Sequence, residues 1–300
     1  MNTRRAFTLV EILTVIAIIS ILVALVTLAV AGAMRAAKRA KIGWEMSQIA
    51  MALELYKGEF GEYPPDFFDN EALVRHVRKR WPRYDFQDAD QIRDDIKDAY
   101  NDAGYPVDFA DTNSHAPLGA LALWLGGFPN ADGKLSGFGA DPEHPFTLDG
   151  TFDGKAFIDW EVGEGKNVRF EDYGGGSVPV IGNEIQGAFV PFVYFRGKSS
   201  GGDDAYDISV RQFEFTSADG PDWCVPYVEE EEKKDGSGSV MKPKKWKNPT
   251  TYQLIHPGLD GLFGELEGER VITSGTGIGL QDLDNITNFS DYKELKSILP

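Results

Sequence analysis

Glu11 is the residue of this chain whose chemistry most needs a reason, because it stands at the head of an apolar run, RRAFTLVEILTVIAIISILVALVTLAVAGA. An acidic group near the centre of a membrane helix costs about 2.5–3.5 kcal/mol on insertion scales, and somewhat less toward the helix end. A carboxylate kept at that depth needs a partner, and Arg4 or Arg5 could snorkel toward it. A second set of acids, Asp260, Asp282 and Asp284, lies in GLDGLFG and LQDLDNI. With the carbonyls of Leu259 or Leu262 they could supply the six to eight oxygens, at about 2.3–2.6 Å, that calcium requires. The same acids could equally be turn residues accepting hydrogen bonds from their own backbone.

Other chemistry-bearing residues are scattered. His76, His115, His144 and His256 show neither HxxxH nor HExxH spacing, and a lone histidine beside proline reads as a surface or turn residue. Cys224 is the only cysteine, which excludes an intrachain disulfide and any cysteine-based metal centre. GKSS follows YFR without the upstream glycine of a phosphate loop, SGTGIGL lacks the spacing of a dinucleotide fingerprint, and no G-x-S-x-G elbow occurs. The expectation is a protein without catalysis of its own. An enzyme would have to gather titratable groups in a pocket by folding alone.

The element that must carry Glu11 is a helix. Ile12 to Ala31 is uncharged for 20 residues, about 30 Å as a helix, or one hydrocarbon thickness. A secretory signal is the simplest alternative, with Arg4 and Arg5 as its basic end and Ala29, Ala31 and Ala33 as small residues for cleavage. The run exceeds the usual 7–15 residues of a signal core, however, and Glu11 interrupts it. Charge divides sharply. Residues 1–44 carry six cations against Glu11, a balance of +5, and with −17 overall the remainder carries −22. Such a body repels nucleic acid, so no nucleic-acid partner is expected. Arg35, Lys38, Arg39 and Lys41 follow the span and would, by the positive-inside rule alone, place the body on the cytoplasmic side.

RRAFTLVEI resembles the processing site of type IV pilins and of the pseudopilins of type II secretion. That resemblance implies cleavage by prepilin peptidase between Ala6 and Phe7, N-methylation of Phe7, and Glu11 as the fifth mature residue. The family more often has glycine where Ala6 stands. It further implies that Glu11 pairs with the methylated amine of an adjacent subunit, and that the body is exported despite the basic cluster. ALELYKGEFGEYPPDFFDNEALV, NPTTYQLIHPGLDGLFGE and LDNITNFSD are similar to the corresponding stretches of the major, G-type pseudopilin, in a long form with an enlarged middle. In those proteins the acidic C-terminal loop holds calcium, which the resemblance carries to Asp260, Asp282 and Asp284. The partners implied are prepilin peptidase, other pilin-like subunits in a homo-oligomeric filament, an inner-membrane secretion platform and membrane lipid. The location implied is the inner membrane, crossed once, with the body on the periplasmic or extracellular side.

These readings give a leader over 1–6, an N-terminal helix over 7–58 with its span about 7–31 and an amphipathic stem after it, and a globular part over 59–300. The fold class is α+β, a long hydrophobic helix packed on an antiparallel sheet, with an insertion about 74–245. Met46, Ile49, Ala50, Leu53 and Phe60 mark the buried face of the stem, which Gly58, Gly61 and YPPD stop. Helices are expected over 70–80, 86–101 and in PLGALALWLGGFP, and strands in KAFIDWEV, NVRF, VPVI, AFVPFVYFR, ISVRQFEF and WCVPYV. GKSSGGDDAYD and EEEEKKDGSGSVMKPKKWK are too polar to join a core and read as surface loops. The main alternatives are a minor pilin or adhesin, with an aromatic-lined site among residues 104–225, an anchored surface protein that never polymerises, and a secreted protein cut from a signal peptide.

Overall fold

The computed structural model describes residues 9–107, 116–172, 177–198, 205–206, 213–217, 220–242, 244–264 and 269–300. Arg4, Arg5, Ala6, Phe7 and His115 lie outside the described residues. The chain forms two compact units, Met1–Lys41 and Ile42–Pro300, and the fold is α+β.

Helix α1 runs over Leu9–Phe60. It outlasts Gly58, because a single glycine only weakens a helix. It ends where Gly61, at φ +74°, turns its N–H back to the Lys57 carbonyl. In the second unit the expected face of α1 is the buried one: Met46, Ile49, Ala50 and Leu53 are buried together with Ile42 and Tyr56, while Phe60 is only partly covered. Helix α2 (Asn70–Arg80) begins at Asp69, whose carboxylate accepts from the Ala72 amide, and α3 (Ala89–Asp102) at Asp88, which accepts from Asp90 and Gln91. Helix α4 (Ala120–Gly126) is buried throughout. All of these pack into one core with the stem.

The strands are β1 (Val168–Asp172), β2 (Ser177–Ile185), β3 (Ala188–Pro191), β4 (Val193–Arg196), β5 (Phe213–Ser217), β6 (Gly220–Cys224), β7 (Val228–Glu230), β8 (Lys233–Lys234), β9 (Val240–Lys242), β10 (Lys245–Trp246), β11 (Tyr252–His256) and β12 (Ile286–Thr287). Every ladder is antiparallel: β1-β2-β3, β12-β11-β4, and the pairs β5-β6, β7-β10 and β8-β9. Period-two alternation sorts the side chains. Ile181, Ile185, Tyr194 and Leu254 join the core of the helices, while Val178, Val180, Val193, Phe195 and Ile255 join a second core with Tyr227, Trp246 and Leu295.

Several expectations are corrected. AFVPFVYFR is two strands in two sheets, since Pro191 has no N–H to extend the ladder and the chain leaves β2 after the Phe192 amide bonds the Ile181 carbonyl. KAFIDWEV forms isolated bridges instead of a strand, because Phe157, Ile158 and Trp160 are held by core packing and not by a ladder. The polar segment 229–247 is a hairpin whose end is anchored by Trp246, buried in the second core. The interval 74–245 supplies α3, α4 and β1–β4, and its β4 pairs with β11 outside it, so it builds the body's core.

Two buried polar chains tie the stem to the sheets. In the first, the Gly258 amide donates to His256 Nδ1 (3.1 Å), His256 Nε2 to Asn183 Oδ1 (3.0 Å), and Asn183 Nδ2 to Glu45 Oε2 (2.9 Å). Asn167 Nδ2 donates to Glu45 Oε1 (2.8 Å). In the second, Arg80 donates to the Tyr56 hydroxyl (3.2 Å), which donates to His76 Nε2 (2.6 Å). His76 Nδ1 then donates to Glu62 Oε1 (3.1 Å), and Arg196 to Glu62 Oε2 (2.8 Å). Burial pushes His256 down to about 3 and lowers His76 as well, so both rings are neutral. Burial opposes the charge of Glu62, but the His76 hydrogen bond and Arg196 outweigh it and hold the carboxyl at about 2.

These shifts set the pH dependence of stability. Below the unfolded-state histidine pKa of about 6.5, the unfolded chain takes up protons that the folded chain refuses, and stability falls. His256 alone should remove about 2 kcal/mol by pH 5, with His76 acting in the same direction. The Glu62 contribution is lost only below roughly pH 4.3, as the pH falls toward its folded value. Thermal unfolding of the detergent-solubilised protein should therefore show a midpoint that drops between pH 7 and 5; a flat profile there would contradict the neutral, buried assignment of both rings.

Candidate functional site

Of the residues expected to act in processing and assembly, Glu11 is the one described, in the first turn of α1. The large apolar side chains described between Leu9 and Met34 are 47–81% exposed, and they occur on all sides of the helix. The stretch is long and apolar enough to cross a membrane. Its hydroxyls are satisfied locally: Thr14 donates to the Glu11 carbonyl (2.9 Å), Ser20 to Ile16 (2.7 Å) and Thr27 to Val23 (2.8 Å). These three hydroxyls would therefore not be left stranded in a hydrocarbon medium. Glu11 is the charged side chain between Leu9 and Met34. A carboxylate in a first turn gains about 0.3–1 kcal/mol from the helix dipole, which falls short of a central insertion cost of about 2.5–3.5 kcal/mol.

On the stem the outward face of α1 leaves Trp44, Met51 and Leu55 uncovered, each 59–64% exposed. Met51 and Leu55 border a shallow groove of about 320 Å³ whose far wall is Phe157 and Trp160. Glu45, by contrast, points into the body. Its place among Ile42, Met46 and Ile49 was a signal available in the sequence, a charge on the apolar stripe that had to find buried donors.

The three acids of the expected calcium loop are placed separately. Asp260 Oδ1 accepts from the Leu262 amide (2.9 Å), a local turn bond. Asp284 Oδ2 accepts from the amides of Leu259 (2.9 Å) and Asp260 (3.3 Å), so it fastens the same turn from across the loop. Asp282 is fully buried and faces the guanidinium of Arg270, Nε to Oδ1 2.9 Å. Among the described residues, no three His, Cys, Asp or Glu side chains are grouped so as to hold a metal ion. The donor set does not fit calcium as placed, because a divalent ion on Asp282 would sit against a buried cation.

The histidines beside prolines or in helices are not surface residues as a class. His76 and His256 are fully buried members of the polar chains, whereas His144 is exposed and paired with Asp141. Cys224 is buried in the second core. A cleft of about 410 Å³ between Leu135, Phe152 and Ile158 carries the solvent-exposed ion pair Lys134–Asp159 (2.7 Å) at its rim.

Residues 1–27 match the prokaryotic N-terminal methylation motif, the type IV pilin-like signal that prepilin peptidase cleaves. The match covers Glu11 and most of the apolar run, and it does not reach the body. No curated protein and no solved structure matches the chain.

The loop geometry makes a graded prediction. Asp284→Ala removes the acceptor of two amides and should cost about 1–3 kcal/mol, and Asp260→Ala, which removes one exposed turn bond, at most about 1 kcal/mol. Urea unfolding of the two variants checks the order; equal losses would mean that Asp260 does more than close its own turn.

Proposed function

We propose that this chain is a pilin-like structural subunit. It is stored in the inner membrane by the apolar part of α1, cut between Ala6 and Phe7 and methylated at Phe7. It then assembles through that helix into a pseudopilus or pilus serving protein secretion. The observation that carries the reading is the coincidence of the methylation motif with a helix that is apolar on every side and holds one carboxylate, Glu11, in its first turn.

Physical chemistry supplies the rest of the reading. Cleavage at Ala6 removes Arg4 and Arg5 and creates an ammonium at Phe7, so the Glu11 carboxylate of one subunit can neutralise the amine of the next. Side-by-side packing of helices covers the apolar surface when a subunit leaves the bilayer, at about 25 cal/mol per Å². The stem residues Trp44, Met51 and Leu55 are uncovered too and offer further apolar surface to a neighbouring subunit. The acidic body stays outward and soluble, on the periplasmic or extracellular side, and the subunit's work is mechanical. The long-form, G-type pseudopilin assignment rests on the resemblance of residues 52–74 and of the C-terminal stretches.

Two measurements test this. Mass spectrometry of the protein from its native membrane should find a mature N-terminus at methylated Phe7, and a start at Gly32 or Met34 would mean an ordinary signal peptide. Glu11→Val should leave cleavage and folding intact and abolish filaments, since deleting one member of a buried pair costs about 3–5 kcal/mol, or on the order of 10²–10⁴-fold in association. Normal filaments from Glu11→Val would remove the charge-pairing step.

A further inference from the structure

We propose that Arg270 is the built-in cation of the C-terminal loop: its guanidinium ties Asp282, one of the three acids expected to bind calcium, to the carbonyls of Trp223 and Gly264, and the body folds without that metal. Two nitrogens of the guanidinium are met by oxygens, as a bound cation would be. Its Nε faces Asp282 Oδ1 at 2.9 Å, and one terminal nitrogen donates to the carbonyls of Trp223 (2.8 Å) and Gly264 (3.2 Å). Arg270 is 1% exposed and Asp282 0%. The side chain also lies over the Tyr227 ring.

Asp282 is saturated from its other sides. Tyr227 donates its hydroxyl to Oδ1 (3.2 Å), Asn285 its amide to the same oxygen (3.3 Å), and the Gly279 backbone N–H to Oδ2 (2.8 Å). Gly264 lies so close that a Cβ there would fall 2.8 Å from Oδ2. Through this one pair, five stretches of chain meet: the end of β6, the residues before β7, the turn at 263–264, the start of the 270–280 loop and the turn at 279–285. A divalent ion entering the cluster would have to displace a buried guanidinium that is already neutralised, and would leave it in low dielectric without its carboxylate. Of the other two acids, Asp284 Oδ2 and Asp260 Oδ1 accept from backbone amides of the 258–262 turn.

Full-length protein in detergent, unfolded thermally with millimolar calcium, with the same concentration of magnesium, and with EGTA, gives the first readout. Calcium should move the midpoint no further than magnesium does, and EGTA should leave it in place. A rise specific to calcium, or a fall on chelation, would overturn the proposal. Arg270→Ala should lower the midpoint by on the order of 10 °C, as expected for a broken buried ion pair in a body of this size. An unchanged midpoint would equally overturn it. Should Arg270→Ala fail to fold, Arg270→Lys keeps the charge without the planar fork and should fold with a midpoint below the wild type. A Lys variant as stable as the wild type would show that the fork and its two carbonyl bonds do not organise the loop.

Discussion

One face of a helix organises the body. Ile42, Met46, Ile49, Leu53 and Tyr56 place α1 into the core shared by α2, α3, α4 and one side of the sheets. Burial of side chains of this size yields about 1.5–3 kcal/mol each relative to leaving them exposed. That burial fixes the axial position of the stem closely enough for Glu45 to meet two asparagine amides and for Tyr56 to meet His76. Each polar chain is acceptable only because the packing holds every member within hydrogen-bond reach; a partly satisfied chain in the same place would cost more than an apolar one.

The molecule handles buried charge by three different local solutions. Glu45 is met by neutral amides from Asn167 and Asn183, Glu62 by Arg196 together with a neutral imidazole, and Asp282 by the guanidinium of Arg270. Such groups add less to stability than their Coulomb energy suggests, since desolvation offsets most of it. They do add specificity of place. A hydrophobic core tolerates sliding and repacking, whereas Asn183, which donates to Glu45 and accepts from His256, permits one register of stem against β2 and β11.

Much of this was legible along the chain. The 46, 49, 50, 53 spacing marked the buried face of α1, the helix over 70–80 has the bounds read for it, and the antiparallel α+β class followed from short strands between turns. What escaped was long-range. The break at Phe192 depends on two sheets competing for one apolar run, and no local propensity distinguishes that from a single strand. Trp246 sits in a segment whose composition is that of a solvated loop, and only its contact with Tyr206 and the second core makes it an anchor. Arg270 and Asp282 are twelve positions apart with no motif to join them, so three acids in a Gly-rich stretch read as metal ligands when one was already committed to an arginine.

The two units satisfy opposite requirements. In Ile42–Pro300 the carboxylates of Glu45, Glu62 and Asp282 are answered from within the same chain, and the strongly acidic charge of this part keeps copies apart except where the stem leaves Trp44, Met51 and Leu55 uncovered. In residues 9–34 the hydroxyls are answered by the helix's own carbonyls, but the large apolar side chains described there are about half or more exposed. Lipid or another apolar helix is what such a surface requires, and both are equally apolar, so transfer between them costs little in hydrophobic energy. On the proposed function, the balance between storage and assembly then falls to the few polar groups at the head of the helix. A single carboxylate can govern it because the many apolar contacts nearly cancel.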